Sequence, residues 1–202
     1  MKKINPKVIF FNLEGGVFKF SNIPKIIKET IKSCRMTCSN NLNEEFDKFC
    51  TGQIMEKEFW KNINLKDASM PRKLVLEKLE YSFDDDFMPL IMGFMGKKIG
   101  VYGNIPKEWA EAIFTSSGLA SMIQLSILSS DLEEMFPSEK AFDLIKNKSG
   151  NALIIDQNEE NITMAKNKGL KTALLVRKPI EKCNCKPDLL IPKLIQLEDL
   201  IE

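Results

Sequence analysis

Five short apolar runs constrain this chain more than any other feature: KVIFFNL (7–13), KIGVYG (98–103), MIQLSIL (122–128), NALIID (151–156) and KTALLV (171–176). They are rich in the β-branched and aromatic residues of strands buried on both faces. Between the last four lie PKEWAEAIFTSSG, PSEKAFDLIKNKSG and NEENITMAKNKG. Each of these starts at a proline or a capping-type residue and stops at glycine, as helices do. Strands alternating with helices predict an α/β fold with a doubly wound parallel sheet.

Residues from about 18 to 90 break the rhythm. IPKIIKETIKSC, NEEFDKF, EKEFWKNI and PRKLVLEKLEYSF have helical spacing and no convincing strand, which predicts a small all-helical segment inserted after the first strand. The expected division is a core of residues 1–17 and 87–202 around an insert of residues 18–86. SFDDDF at 82–87 could be read as a metal-binding acidic run, but a solvated loop returning from the insert is the better reading.

At 202 residues the chain can bury a sizeable core without staples. Its 29 basic and 28 acidic side chains nearly cancel, which argues against nucleic acid as a partner. No apolar run is long enough to span a membrane, and MKKINPK passes into a strand without a signal-peptide core. The expectation is a soluble, cytoplasmic protein with no membrane partner. Five cysteines, an odd number, read as reduced thiols. Cys34 and Cys38 would share a helix face, and Cys183 and Cys185 form a Cys-x-Cys, so a thiolate metal site is conceivable. With no histidine and the two pairs far apart in sequence, half-buried thiols are the simpler reading.

Ligands of α/β proteins sit at the carboxyl ends of the strands. The first strand ends in FNLEGGV, with Asn12 and Glu14 before a Gly-Gly turn. This loop is followed by an insert containing TGQIMEKEFW, then GVYGN, then ILSSDLEEMFPSEKAF, and finally ALIIDQNEENITMAKNKGLKT. In order and spacing these segments resemble the haloacid dehalogenase-like (HAD) hydrolases of the small-helical-cap type, over nearly the whole chain. The resemblance implies a Rossmann-like core, a cap made by residues 18–86, and a phosphate-transfer site that most often uses Mg²⁺.

What it implies for individual residues is degenerate. The family's aspartate nucleophile falls on Asn12, its general acid on Glu14, and its threonine on Gly16 beside Gly15. The hydroxyl of the second motif falls on Gly103, followed by Asn104, and the lysine of the third on Phe136, just before Pro137. The acidic pair of the fourth falls on Asp156 and Gln157. Only Asp156 matches unchanged. An amide oxygen is neutral and delocalised, so Asn12 cannot form the covalent intermediate. Glu14 keeps an acid on a stem one methylene longer, which disturbs the reach a general acid needs. Phe136 offers a phosphate neither donor nor charge. Asn12 could still hydrogen-bond the turn, while Gly15 and Gly16 let the backbone fold sharply.

The resulting expectation is a pseudoenzyme: a catalytically impaired phosphatase relative that binds a protein partner or a small ligand. Asn12, Glu14, Gly15, Gly16, Gly103, Asn104, Asp156 and Gln157 would line its pocket. No cofactor is expected. In the alternative, a residual phosphohydrolase of small phosphorylated metabolites, Glu14 and Asp156 would hold Mg²⁺. A purely structural subunit is the third reading.

Overall fold

The computed structural model describes residues 3–19, 22–94, 96–177 and 183–202. The strands are β1 (Val8–Asn12), β2 (Lys98–Gly103), β3 (Leu125–Leu128), β4 (Ala152–Asp156), β5 (Lys171–Leu175) and β6 (Leu189–Ile191). They form one six-stranded sheet in the order β3-β2-β1-β4-β5-β6, and every pairing is parallel. β1 lies in the middle because nothing in it needs water: all five residues are buried. It pairs with β2 on one side and β4 on the other. The strand order turns back at β1 and β4, and ligands of open parallel sheets bind at such a place.

Helices α1 (Ile23–Ser33), α2 (Leu42–Cys50), α3 (Glu56–Asn62), α4 (Ser69–Glu80) and α5 (Phe87–Gly93) connect β1 to β2. α6 (Lys107–Ser116) joins β2 to β3, and α7 (Ser129–Leu132) with α8 (Glu139–Ser149) joins β3 to β4. α9 (Glu159–Asn167) joins β4 to β5, and α10 (Leu197–Leu200) follows β6 near the C-terminus. Side chains alternate across a strand, so β1 feeds two cores. Ile9 and Phe11 join the larger one with the inserted helices and α6. Val8 and Phe10 join a smaller one beneath α8, with Tyr102, Phe136 and Phe142.

The insert is fastened to the sheet layer by aromatic residues. Trp109 of α6 is fully buried, with ring centroids 5.5 Å from Phe49 and 5.9 Å from Trp60. Its indole N–H donates to Glu56 Oε1 at 2.7 Å, and the Trp60 indole N–H donates to the same oxygen at 3.2 Å, which satisfies both polar atoms of an otherwise apolar cluster.

Four expectations need correction. Cys34 and Cys38 share no helix face, because α1 ends at Ser33 and Cys38 lies in the loop beyond it. β3 begins at Leu125 rather than 122, because Gly118 at φ 77° starts a single 3-10 turn over 119–121 and the strand forms only after it. β6 was not anticipated: a run of three residues at the sheet edge carries too little pattern. The acidic stretch at 82–87 is not simply a solvated loop, because Asp84 is buried. Its carboxylate accepts the Asp86 N–H at 2.9 Å and pairs with Arg177. Among the described residues, no helix is long and apolar enough to cross a membrane.

Candidate functional site

Most of the sequence-predicted positions meet at the carboxyl end of the sheet. Asn12, Glu14, Asn104, Phe136, Asp156 and Gln157, joined by Asn158 and Asn161, line one cleft of about 480 Å³. Asn12 and Asp156 are the last residues of β1 and β4, and Gly103 is the last of β2.

The loop after β1 closes on itself through its backbone. Asn12 C=O accepts the Val17 N–H and Leu13 C=O accepts the Phe18 N–H, both at 2.9 Å. A Cβ on Gly16 would stand 2.3 Å from the Asn12 carbonyl oxygen, so this backbone has no room for a threonine there. Gly15, at φ 83°, is covered by the Gln157 side chain, whose amide nitrogen would lie 2.0 Å from an added Cβ. Gly103 has φ 149°, and a Cβ on it would meet Leu13 Cβ at 3.3 Å. The three glycines are therefore built into the loops.

The Asn12 side chain does not hold the turn, contrary to expectation. Its amide lies near enough to the Tyr102 hydroxyl to oppose the rise of the Tyr102 pKa, and its Oδ1 is buried with no partner. Tyr102 donates in turn to Asp156 Oδ2 at 2.5 Å. The same Oδ2 accepts the Asn161 side-chain N–H at 2.8 Å, and Asp156 Oδ1 accepts the Asn158 backbone N–H at 2.8 Å. The Gln157 backbone amide also favours the charged form of this carboxyl. Two carboxylate oxygens offer about four acceptor sites, and hydrogen bonds from neighbours take three of them.

Burial nonetheless pushes Asp156 up to about 6 against these interactions. Burial also raises Tyr102 well above its ordinary value, and the Asp156 charge adds to this. Glu14, half-buried at the rim, is pushed up to about 7 mainly by desolvation, with the Asp156 and Asp47 charges adding to it and the Ile23 backbone N–H opposing it.

Phe136 stands in this wall as a packed ring. Its centroid lies 5.2 Å from Tyr102 and 6.0 Å from Phe142. Asn104 fixes its backbone at two points, accepting the Phe136 N–H at 2.7 Å and donating to its C=O at 3.0 Å. A positive charge does approach the nucleophile-like loop, from a residue the sequence reading passed over. Arg177, just beyond β5, donates to the Gly15 carbonyl from Nε at 3.3 Å and from Nη2 at 2.9 Å, and its Nη1 pairs with Asp84. Its guanidinium ties the loop to the end of the insert.

Tyr102, Asn158, Asn161, Arg177 and Asp84 were all missed. Tyr102 sits one position before the residue matched to the family motif and reads as an ordinary strand aromatic. Asn161 falls five residues after Asp156, on the first turn of α9, where helical spacing returns it to the strand end.

Comparison with solved structures places this architecture. The L-2-haloacid dehalogenase of Xanthobacter autotrophicus superposes with a TM-score of 0.68 at 14% identity, over 96% of this chain and 98% of that one. The 2-haloacid dehalogenase of Pseudomonas syringae gives 0.65 at 13% identity, covering 96% and 97%. The HAD-family enzyme bt-2542 of Bacteroides thetaiotaomicron, as a mutant in complex with magnesium and inorganic phosphate, gives 0.64 at 14% identity, covering 88% and 98%. No family model matches the sequence, and no curated protein does. The chain therefore has the HAD-like fold, an α/β parallel sheet with flanking helices.

The cation that the fold implies is Mg²⁺, which takes near-octahedral oxygen ligands and is usually held through carboxylates. The donor set here does not fit it. Asp156 has three of about four acceptor sites occupied, Glu14 is held toward its neutral form, and Asn12 and Gln157 are uncharged.

Proposed function

We propose that this protein is a pseudoenzyme of HAD-like fold, which uses the cleft at the carboxyl end of its sheet to bind a group rich in hydrogen-bond donors. That group belongs to a neutral or cationic small ligand, or to a side chain of a partner protein. One observation carries the reading. Two amide oxygens of cleft residues, Asn12 Oδ1 and Asn161 Oδ1, are buried without a partner, beside two carboxyl groups whose environment disfavours their charge. An unmet buried acceptor costs about 1–3 kcal/mol, and a ligand that supplies donors recovers this.

The chemistry of the cleft is the reverse of what a phosphate needs. Phosphate presents acceptors and negative charge and is recognised by donors and cations. At the positions where the resemblance places lysine and a hydroxyl stand Phe136 and Gly103, and the nearby Arg177 is engaged by Gly15 and Asp84. Asn12 is also suited to its neighbours. Tyr102 has one proton to give and gives it to Asp156. An amide at position 12 can donate to the hydroxyl oxygen, which a carboxylate cannot do.

No resident Mg²⁺ is expected, and the localisation proposed is cytoplasmic. A thermal-shift panel tests the reading. Alkylammonium compounds and polyols should raise the melting temperature by an amount that Asn12→Ala and Asn161→Ala reduce. Inorganic phosphate with Mg²⁺ should not raise it. Stabilisation by phosphate and Mg²⁺ that disappears in Asp156→Ala would favour the hydrolase reading.

A further inference from the structure

A second cluster lies at the start of α9 and the turn before β6. Cys183, Cys185 and Glu159 bring one potential ligand atom each to within 4.8 Å of one another, the one such group among the described residues. We propose that these three side chains form a binding site for a thiophilic divalent cation of the Zn²⁺ type. The inference is independent of the cleft and its reading.

The geometry fits such an ion. A tetrahedral cation holding two thiolates at ~2.3 Å sets the sulfurs about 3.8 Å apart. The two sulfurs stand 3.4 Å apart, far beyond the ~2.05 Å of a disulfide. The third ligand is already oriented: Glu159 Oε2 accepts the Asn184 N–H at 2.7 Å and the Cys185 N–H at 3.2 Å. The carboxylate is thereby pinned to the Cys-x-Cys turn with lone pairs to spare. In the sequence, Cys34 and Cys38 are the other candidate partners of Cys183 and Cys185, and half-buried thiols are the simpler reading. The structure joins Cys183 and Cys185 to a carboxylate instead, and two thiolates with one harder oxygen ligand select Zn²⁺ over Mg²⁺.

Access and proton balance are also satisfied. Cys185 and Glu159 line a second cleft of about 620 Å³, which leaves the fourth coordination position to water or to an exogenous thiol. Without a cation, Cys183 Sγ–H donates to the Cys185 carbonyl at 3.0 Å. Metal binding then releases two thiol protons to solvent, and the dication meets two thiolates and one carboxylate.

The test uses the reduced, chelator-treated full chain titrated with Co²⁺ and then with Zn²⁺. Expected is one equivalent per chain with a thiolate-to-cobalt charge-transfer band that Zn²⁺ bleaches. The band should vanish in Cys183→Ser and Cys185→Ser and survive in Cys34→Ser/Cys38→Ser. In Glu159→Gln the affinity should fall roughly 10- to 100-fold, as for loss of a supporting group. Alkylation mapped by mass spectrometry needs no variant: Zn²⁺ should protect Cys183 and Cys185 of the wild type and leave Cys34 and Cys38 reactive. Absence of the band in the wild type, its survival without Cys183 and Cys185, or protection of Cys34 and Cys38 instead would overturn the proposal.

Discussion

The inner wall of the cleft and its rim are built on opposite terms. At the wall, Asp156 takes three donors from Tyr102, Asn161 and Asn158, and Phe136 closes the space with aromatic contacts. At the rim, Glu14 has one opposing backbone N–H and a pKa near 7. The carboxylate of the wall is satisfied mostly from inside the protein. The rim, with the two unpartnered amide oxygens behind it, is where capacity is left over. A catalytic site would need the wall's carboxylate free and the loop's residue charged.

Replacing the packed ring should have the largest effect. Phe136→Lys would put an ammonium against Tyr102 and Phe142 in a buried position, and Phe136→Ala would leave a cavity. Losses of about 3–5 kcal/mol are expected for the alanine change, and at least as much for lysine. Chemical denaturation checks this, and near-wild-type stability of Phe136→Lys would mean that the wall is not packed as described.

Tyr102→Phe should come next. It removes one donor from Asp156 and the hydroxyl beside Asn12, at a cost of about 1–3 kcal/mol. Asp156→Asn added to it should cost less than it does alone, because the two changes act on one network. Additive losses would separate the network into independent contacts.

The pH dependence sharpens the contrast. Glu14 rises from 4.5 to about 7 and Asp156 from 3.8 to about 6. Between the ordinary and folded values the native state holds protons that the unfolded chain has released, so stability falls as pH rises. The loss begins near pH 4 and is complete above pH 7. Each pKa unit is worth ~1.4 kcal/mol. Denaturation midpoints from pH 4 to 8 should show this slope, and Glu14→Gln should remove its upper part. The same substitution should raise stability modestly at pH 8. A rise in stability through this window would contradict the assignment.

How the sequence conveyed these regions follows from the range of their interactions. β1, β2, β4 and β5 were legible because strands buried on both faces need continuous apolar runs, and VIFF and LIID are such runs. The inserted helices showed through their spacing. β6 did not, because three residues at an edge carry no period. At the site, the loops were found from their order along the chain, but their wiring was not. Asp84 and Arg177 are 93 positions apart, and Asn104 clamps Phe136 across 32. Neither pairing leaves a local pattern. Restoring the family's residues by substitution would meet this wiring. Gly103→Ser would place a side chain at φ 149° against Leu13, and Asn12→Asp would face Tyr102, whose proton Asp156 already takes.

The central claim is that the wall is a structural network and not a catalytic one. Hydrolysis of an aryl phosphate by the wild-type chain in Mg²⁺, with and without EDTA and beside Asp156→Ala, tests it directly. The account predicts no EDTA-sensitive turnover above that of Asp156→Ala, and none in Asn12→Asp. Turnover by the wild type that EDTA abolishes, and that both Asp156→Ala and Glu14→Gln eliminate, would contradict it.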